Sequence, residues 1–419
     1  MYDKFLKQVL LDKNFCELNS IVNVINSIYI DRKISSNICD IIKQYGNHAF
    51  IVADINTAAL LDKVVFSTFQ NFIILHKYCA SQELVDLIQK KSQDADILVS
   101  FGSGTVNDIC KYVSYITNKS YISFPTAPSM NGYSSSNASI TFNCGNKKSL
   151  KAHLPKAIYV DIDIIVNAPQ RLIVSGFADF ICRSTVQADW LLSHILLGNE
   201  YTELPFLISR ASEEALLAEY LGLVKRDEHS IMVLMQALLL SGLGMFIVGG
   251  SESASQGEHM IANTIEILQN NMSFFHGEFI GVSSVIMECL QKRILKQVPI
   301  LYPTLISSDS IKEYFQVQHA EEFCDILTEK FIDQQKADNL NSLICNKWSD
   351  IVDMIHEKTL SSILIRDMLV NVDCPCKPEH IGWDSRKYSK AAEFAFVTRR
   401  RFTFLDIAHH ARLPVVEHI

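Results

Sequence analysis

The sequence lacks the features that mark several large classes of protein. It has no excess of positive charge, since 38 Lys and Arg residues stand against 46 Asp and Glu and the formal net charge is -8. Binding to a phosphate backbone needs a concentrated positive surface, so no nucleic-acid partner is expected. The one basic run, at residues 399–401, lies in a stretch of helical apolar spacing and is interpreted as a solvated face.

Cysteine spacing and the N-terminal residues exclude further classes. The 11 cysteines are scattered, and the only close pair, Cys374 and Cys376, has no second pair with which to complete a zinc knuckle. They are interpreted as reduced thiols, which are typical of a reducing compartment. Charges interrupt the apolar residues over 1–15, so a secretory signal is not expected and a cytoplasmic location is predicted.

One apolar stretch, at residues 231–250, is long enough to cross a bilayer. Its interior contains Gln236 and Ser241, and it lacks the flanking aromatic and basic anchors that membrane helices carry. A buried core helix is therefore predicted, and no membrane span.

Short apolar runs alternate with helix-length stretches in the first part of the chain. Runs rich in Ile, Val and Phe occur at residues 49–54, 71–77, 96–104, 120–128 and 157–163. Such runs are typical of strands buried on both faces, and their alternation with helices indicates a largely parallel sheet. After Pro169 the spacing is helical. The predicted fold is a Rossmann-like α/β domain followed by an all-α domain.

These patterns divide the chain into three predicted segments. Residues 1–47 are a helical extension, 48–168 the dinucleotide-binding α/β domain, and 169–419 the helical metal- and substrate-binding domain. The boundary precedes Pro169 because proline disfavours helix in the residue before it. A homo-oligomer is expected as the common default.

A glycine turn follows the third of these predicted strands. Residues 101–105 read FGSGT, and a helical stretch follows directly. Two glycines in a strand-to-helix turn let the backbone approach a ligand, and the first N–H groups of the helix favour a pyrophosphate. The P-loop signature is absent, which disfavours a kinase or ATPase. The turn predicts a dinucleotide cofactor, with NAD and NADP both open.

The loop at residues 124–140 is rich in hydrogen-bonding groups. Its 17 residues include two asparagines and five serines, and two prolines stiffen its start. This polar capacity exceeds what a plain connection needs. The loop is predicted to line the cofactor and a small polar substrate.

Three stretches of the helical half place a possible metal ligand beside a glycine. They are GFAD at 176–179, GEH at 257–259 and HGE at 276–278. Asp179, His259 and His276 would project near the start of a helical run. One carboxylate with two imidazoles suits one divalent ion, zinc, nickel or iron, with an open coordination position.

Taken in order, these stretches resemble the sn-glycerol-1-phosphate dehydrogenases, within the superfamily of iron-containing alcohol dehydrogenases, glycerol dehydrogenase and dehydroquinate synthase. The motifs that carry the resemblance are GSG with Asp108, PTAPS at 125–129, GFAD, DW at 189–190, GEH, HGE and RFTFLDIA at 401–408. It implies a dehydroquinate synthase-like architecture and reversible hydride transfer between NAD(P)H and dihydroxyacetone phosphate. The product, sn-glycerol 1-phosphate, implies a place in phospholipid biosynthesis.

The resemblance also implies roles for individual residues. Asp179, His259 and His276 would hold the metal, and Asp54 would lie near the adenosine ribose. The other cofactor-binding residues that it implies are Gly102, Ser103, Gly104, Thr105, Asp108, Thr126, Ala127, Pro128, Ser129 and Ser135.

Two positions depart from the family pattern. Asn131 stands where the family usually has aspartate, and Asn263 where it usually has histidine. Both positions contact substrate in the family, so Asn131, Asn263 and Asp179 are the candidate catalytic and substrate-binding residues. Asparagine can hydrogen-bond a hydroxyl but cannot take a proton at neutral pH. Asn263 should share a helix face with His259, four residues earlier.

Two alternatives to a dehydrogenase stay open. A sugar-phosphate cyclase of the dehydroquinate synthase type resembles the chain at HGE, but it usually supplies glutamate where this chain has Asp179. A catalytically weakened paralogue that binds dinucleotide and metal is the second alternative, motivated by Asn131 and Asn263.

Overall fold

The structure, a computed structural model, describes residues 23–24, 27–61, 63–76, 79–142, 147–269, 273–316 and 320–416. The chain divides into two compact units. One comprises Met1–Phe177 with Leu204–Ser251, and the other Ala178–Glu203 with Glu252–Ile419. The predicted division at residue 168 is a single cut through the sequence, and it stays a prediction.

The first unit is built on strands. They are β1 (Ile28–Asp31), β2 (Ala49–Asp54), β3 (Phe72–Leu75), β4 (Ile97–Gly102), β5 (Ser120–Pro125), β6 (Asn137–Thr141), β7 (Lys147–Lys151) and β8 (Ile158–Asp161). Six of them form one sheet in the order β1-β8-β5-β4-β2-β3, and every neighbouring pair is parallel. The predicted parallel sheet is therefore confirmed.

The helices follow in chain order, the first ten being α1 (Ile38–Lys43), α2 (Lys63–Thr68), α3 (Gln82–Lys91), α4 (Gly104–Ile116), α5 (Ile162–Val166), α6 (Gln170–Ile181), α7 (Arg183–Leu197), α8 (Leu204–Glu219), α9 (Leu221–Val224) and α10 (Glu228–Val248). The remaining ones are α11 (Gly257–Leu268), α12 (His276–Leu295), α13 (Ser308–Phe315), α14 (Ala320–Glu329), α15 (Gln334–His356), α16 (Ser362–Asn371), α17 (Ser385–Phe394) and α18 (Phe404–His410). No strand follows β8 within the described residues, which agrees with the predicted helical C-terminal region.

Alternate residues of the strands face two separate cores. In β4, Ile97 and Val99 join a cluster that includes Ile38 of α1, whereas Leu98 joins a cluster that includes Ile109 of α4. Successive side chains of a strand point to opposite faces, so a parallel sheet covered by helices buries both sets. This double burial explains the uninterrupted apolar runs in the sequence.

Residues 28–31 differ from the predicted helical extension. They form strand β1 at the edge of the sheet, paired with β8. Ile28 and Ile30 are buried while Tyr29 and Asp31 are exposed, which is the two-residue period of a strand. Residues 38–43 are helical as expected, and residues 1–22, 25 and 26 lie outside the described part of the chain.

Helix α10 contains the apolar stretch for which a core position was predicted. Its most apolar 18-residue window has a mean hydropathy of 2.3, and 83% of that window is buried inside the structure. This is the one helix among the described residues that is long and apolar enough to cross a membrane. Its burial agrees with the predicted core helix.

Candidate active site

The residues implied in cofactor binding collect at one edge of the sheet. Asp54, Gly102 and Pro125 end the adjacent parallel strands β2, β4 and β5, and Gly102 pairs directly with Pro125. Open parallel sheets bind ligands outside the carboxyl ends of their strands. The glycine turn, the start of the polar loop and Asp54 therefore share one ligand-binding edge.

Asp54 is held in position by its own turn. Its Oδ1 accepts the N–H groups of Asn56 at 2.8 Å and Thr57 at 3.0 Å, and the Thr57 hydroxyl donates to the Phe101 carbonyl at 3.1 Å. Its Oδ2 has no hydrogen-bond partner among the described residues. One carboxylate oxygen thus stays available to a ligand beside the end of β4.

The glycine turn needs its glycine for space. A Cβ on Gly102 would lie 2.7 Å from Cγ2 of Val106, closer than such atoms approach. The turn leads directly into α4, whose N-cap residue Ser103 makes no side-chain capping bond. The helix N-terminus therefore presents its N–H groups and positive dipole end at the carboxyl edge of the sheet, where an anion is favoured.

Hydrogen bonds fix the polar loop. The Tyr133 hydroxyl donates to the Ala127 carbonyl at 2.8 Å and lies 3.3 Å from the Ser129 hydroxyl. The Ser134 hydroxyl donates to the Leu239 carbonyl of α10 at 2.6 Å, and the Thr126 N–H donates to the Gly102 carbonyl at 3.2 Å. The loop is ordered by these bonds, and its last residues form β6, which pairs antiparallel with β7.

Lys111 is a buried cation that the sequence analysis missed. Its Nζ donates to the Gly132 carbonyl, to the Asn137 carbonyl at 2.9 Å and to the Ser135 hydroxyl at 3.2 Å. Burial lowers the pKa of Lys111 to about 8, and Asp108, 3.8 Å away, opposes that shift. The available signal was a lysine three residues after an aspartate in an otherwise apolar helix.

Two residues that the resemblance assigns to the cofactor are engaged with the loop instead. Asp108 Oδ2 accepts the Ser139 N–H at 3.1 Å, and the Ser135 hydroxyl donates to the Gly132 and Asn137 carbonyls, each at 3.1 Å. Both side chains are buried. In this structure they position the loop, and direct cofactor contact stays a prediction.

Two helices approach the loop backbone closely. A Cβ on Gly176 of α6 would lie 1.8 Å from the Pro128 carbonyl oxygen, and one on Gly242 of α10 would lie 2.3 Å from the Asn131 carbonyl oxygen. The Asn131 amide donates to the Ser241 hydroxyl at 3.4 Å. Gly176 therefore lets the first part of α6 pack directly against the backbone of the PTAPS stretch.

The three predicted metal ligands come together in the second unit. Asp179 lies near the end of α6, His259 in the first turn of α11, and His276 at the first residue of α12, and their ligand atoms all lie within 4.8 Å of one another. Asp179 Oδ1 is 3.6 Å from His259 Nε2. Two ligand atoms that share a tetrahedral zinc lie about 3.4 Å apart, so this spacing fits a shared cation.

Each imidazole is backed by its own glutamate. His259 Nδ1 lies 2.8 Å from Glu258 Oε1, and His276 Nδ1 lies 2.9 Å from Glu266 Oε1. A carboxylate that accepts from Nδ1–H fixes the tautomer, orients the ring and leaves Nε2 as the ligand atom. The donor set therefore fits a divalent cation. Burial opposes the charged form of His259, but Asp179 and Glu258 outweigh it and raise the pKa.

A second group of possible ligands shares His259 and contains Cys182 and Glu258. The Cys182 thiol donates to the Asp179 carbonyl at 3.1 Å, and burial raises its pKa well above the usual range. Glu258 already accepts from the Gln256 N–H at 2.8 Å and the Thr185 hydroxyl at 3.2 Å, besides its contact with His259. The set of Asp179, His259 and His276 is therefore the better cation site.

Asp189 of the DW motif joins two helix starts. Its Oδ2 accepts the Gly257 N–H at 2.9 Å, and its Oδ1 accepts the Phe404 N–H at 2.9 Å. Burial, reinforced by Glu258, raises the pKa of Asp189 to about 8. These bonds fix the first turn of α11, which carries His259, relative to the RFTFLDIA stretch.

Asn263 lies one turn after His259, as predicted. It is 5% exposed, and its side-chain amide makes no hydrogen bond to any described residue. Buried amides normally have partners, so an unpaired one beside a candidate metal ligand suits contact with a bound molecule.

The basic run differs from the solvated helical face that was expected. Residues 398–403 are not helical, and Arg399 and Arg401 are partly buried against the segment that precedes α11. Arg400 alone is exposed, and it pairs with Glu329 through two bonds of 2.8 and 2.9 Å. A three-residue run outside regular structure places its members in different environments, which charge counting does not show.

The fold and sequence comparisons define the class first. The family model described as iron-containing alcohol dehydrogenase matches residues 35–169. The glycerol dehydrogenase of Schizosaccharomyces pombe has a similar structure, with a TM-score of 0.53 and 18% identity over 85% of this chain and 92% of that one. The fold is thus that of the iron-containing alcohol dehydrogenases.

Sequence relatives narrow the class to a family. The glycerol-1-phosphate dehydrogenase of Geobacillus thermodenitrificans is 30% identical over an alignment of 316 residues, and the match covers 69% of this chain and 78% of that protein. That of Methanoregula boonei is 32% identical over 252 residues, 59% of this chain and 69% of that protein. This chain belongs to the glycerol-1-phosphate dehydrogenase family, which confirms the resemblance found in the motifs.

Proposed function

We propose that this chain is a metal-dependent dehydrogenase that reduces dihydroxyacetone phosphate to sn-glycerol 1-phosphate with NAD(P)H, and catalyses the reverse oxidation. Its substrate is a small phosphorylated molecule, and its place is the cytoplasm. The names of the curated relatives support the reaction. The observation that carries the proposal is the convergence of Asp179, His259 and His276, with a glutamate behind each imidazole.

A bound metal ion would have one chemical role in this reaction. A divalent cation at Asp179, His259 and His276, of which zinc, nickel and iron are the candidates, would polarise the substrate oxygen as a Lewis acid. Glu258 and Glu266 hold the two imidazoles in the tautomer that this requires.

The chain's own groups would bind and orient the cofactor and the substrate. Gly102, Ser103 and the start of α4 would receive the pyrophosphate of the cofactor, and the loop that Lys111 fixes would line its other half. The unpaired Asn263 amide would hydrogen-bond the substrate. Orienting the two reactants in this way is the main contribution of a protein to hydride transfer.

Proton transfer separates this chain from the family pattern. Reduction of the carbonyl adds a hydride to carbon and a proton to oxygen. Neither Asn131 nor Asn263 releases a proton at neutral pH, so the proposal assigns them to orientation and takes the proton from water.

Asp54 bears on the choice between NAD and NADP. Its available Oδ2 would accept a hydrogen bond from a free ribose 2′-hydroxyl and would repel a 2′-phosphate. The proposal therefore includes a preference for NADH, which Asp54→Ala should weaken in a comparison of kcat/KM for the two cofactors.

The test is NADH oxidation with dihydroxyacetone phosphate. Chelation should abolish it, and one equivalent of zinc, nickel or iron should restore it. Full activity in protein shown to be free of metal would overturn the proposal. Phosphate release from a heptulose phosphate without net change in NADH would instead indicate the cyclase alternative.

A further inference from the structure

Arg399 lies on a segment that is fixed beside the metal-ligand helix α11. The Thr398 hydroxyl is 3.5 Å from the Met260 carbonyl, one residue after His259, and the Arg399 Nη1 donates to the Ser255 hydroxyl at 2.6 Å. Asp189 joins the other end of this segment, at Phe404, to the N–H of Gly257. Arg399 is thus held alongside the start of α11.

The three consecutive arginines differ in their anionic partners. Arg400 pairs with Glu329 at 2.8 Å, and Arg401 pairs with Glu252 at 3.4 Å. Arg399 forms no ion pair with any described carboxylate, and its one hydrogen bond goes to the neutral hydroxyl of Ser255. Most of its five guanidinium donors therefore have no protein acceptor among the described residues.

Its surroundings make this lack of a partner costly. Burial and, to a lesser extent, the charge of neighbouring Arg401 lower the pKa of Arg399 to about 9, although Glu258, Glu266 and Glu252 act against the shift. Those glutamates already engage His259, His276 and Arg401 respectively. A partly buried cation without its own counterion is expected to take up an anionic ligand.

The positions of the residues on α11 also indicate an anionic ligand. Glu258 and Glu266, whose charges reach Arg399, are two four-residue steps apart on this helix, and His259 and Asn263 form the adjacent row. Asn263 is 5% exposed, and its side-chain amide makes no hydrogen bond to a described residue. Helix α11 therefore carries both His259 and the Asn263 amide, which has no partner among the described residues. Arg399, which has no counterion among them, lies on the segment packed beside this helix.

We propose that Arg399 binds the phosphoryl group of the substrate, with the Asn263 amide as a neighbouring donor. A guanidinium matches phosphate oxygens with two parallel hydrogen bonds, which an ammonium cannot do. The identity of the phosphorylated substrate rests on the function proposed above, whereas the anion site itself does not. Arg399 is thereby the residue that distinguishes dihydroxyacetone phosphate from dihydroxyacetone, which has the same carbonyl and no phosphoryl group.

The test compares Arg399→Met, Arg399→Lys and the surface control Arg400→Met in the metal-loaded protein. Calorimetric titration with dihydroxyacetone phosphate and with inorganic phosphate gives dissociation constants without turnover. We expect Arg399→Met to weaken both ligands, the former by about 100-fold, and Arg399→Lys to recover part of that loss. Arg400→Met should stay within about twofold of the natural chain. Circular dichroism melting curves check that each variant is folded.

Kinetics with and without the phosphoryl group separate binding from structure. Arg399→Met should lower the ratio of kcat/KM for dihydroxyacetone phosphate to that for dihydroxyacetone by about the same 100-fold. An equal loss with both substrates, phosphate affinity like that of the natural chain, or weaker binding of NADPH alone would each overturn the proposal.

Failure of the proposed reaction is recognisable separately. If the natural chain binds phosphate through Arg399 but does not reduce dihydroxyacetone phosphate, the anion site stands and the proposed substrate is wrong. If the natural chain binds neither dihydroxyacetone phosphate nor inorganic phosphate, the anion site is wrong.

Discussion

The candidate sites of the two units consist of different chemical groups. In the first unit the cofactor edge is made of backbone, with glycines that admit close approach, a helix N-terminus and a loop fixed mostly by carbonyl acceptors. In the second unit the site is made of buried charge, with Asp179 beside two imidazoles and a glutamate behind each of them. We therefore expect added side-chain volume to disrupt the cofactor edge of the first unit, and loss of charge to disrupt the candidate metal site of the second unit.

The largest effect should follow from neutralising the metal carboxylate. Asp179→Asn keeps the shape and removes the charge, so metal should be lost and kcat/KM should fall by about 1000-fold or more, since a metal supplies several kcal/mol to the transition state. Metal analysis and steady-state kinetics measure both. The control Asp350→Asn changes an exposed carboxylate of the same unit and should alter neither. Retained metal in Asp179→Asn would contradict the charge-based account of this unit.

The corresponding volume test in the first unit is Gly176→Ala. The added Cβ would lie 1.8 Å from the Pro128 carbonyl oxygen, so the helix or the loop must move, at a cost of about 3 kcal/mol or more. Gly249→Ala is the control, because its φ of 68° is strained for alanine but nothing lies within 4 Å. It should cost about 1 kcal/mol. Denaturant unfolding measures both, and equal losses would show that the close approach to Pro128 is unimportant.

Removing one backing carboxylate should have an intermediate effect. Glu266→Gln leaves His276 in place but weakens the contact that orients it, so metal affinity should drop by about 10- to 100-fold. Competition with a chelator of known affinity measures the change, and Glu313→Gln is an exposed control. An unchanged affinity would mean that Glu266 does not orient the ring.

The smallest predicted effect concerns the charge buried in the first unit. The pKa of Lys111 falls from 10.5 to about 8 on folding, so between these values the unfolded chain binds more protons and stability should rise with pH. The natural chain should gain up to about 1.4 kcal/mol per pH unit there relative to Lys111→Met. Lys119→Met is the matched variant, because it also removes a lysine that donates to three carbonyls. Parallel slopes in the natural chain and Lys111→Met would contradict the shift.

The parallel strands and the three candidate metal ligands could be predicted because their signals are local. Doubly buried strands leave unbroken apolar runs, and the GFAD, GEH and HGE stretches are family motifs. Strand β1 was not predicted because four residues of alternating burial carry little signal beside helical neighbours. Strand β6 was not predicted because its residues, NASIT, are mostly polar. The role of Glu266 was not predicted because it depends on His276, ten residues later. The role of Arg399 was not predicted because tertiary contacts determine which of three consecutive arginines is buried.

X-ray absorption spectroscopy of the protein loaded with zinc or nickel tests the central claim most directly. With Asp179, His259 and His276 as ligands, the spectrum should show only nitrogen and oxygen neighbours, at about 2.0–2.2 Å for zinc. That shell should lose imidazole scattering in His276→Ala. A sulfur neighbour at about 2.3 Å would place the metal at Cys182, and would contradict a site formed by Asp179 and the two imidazoles.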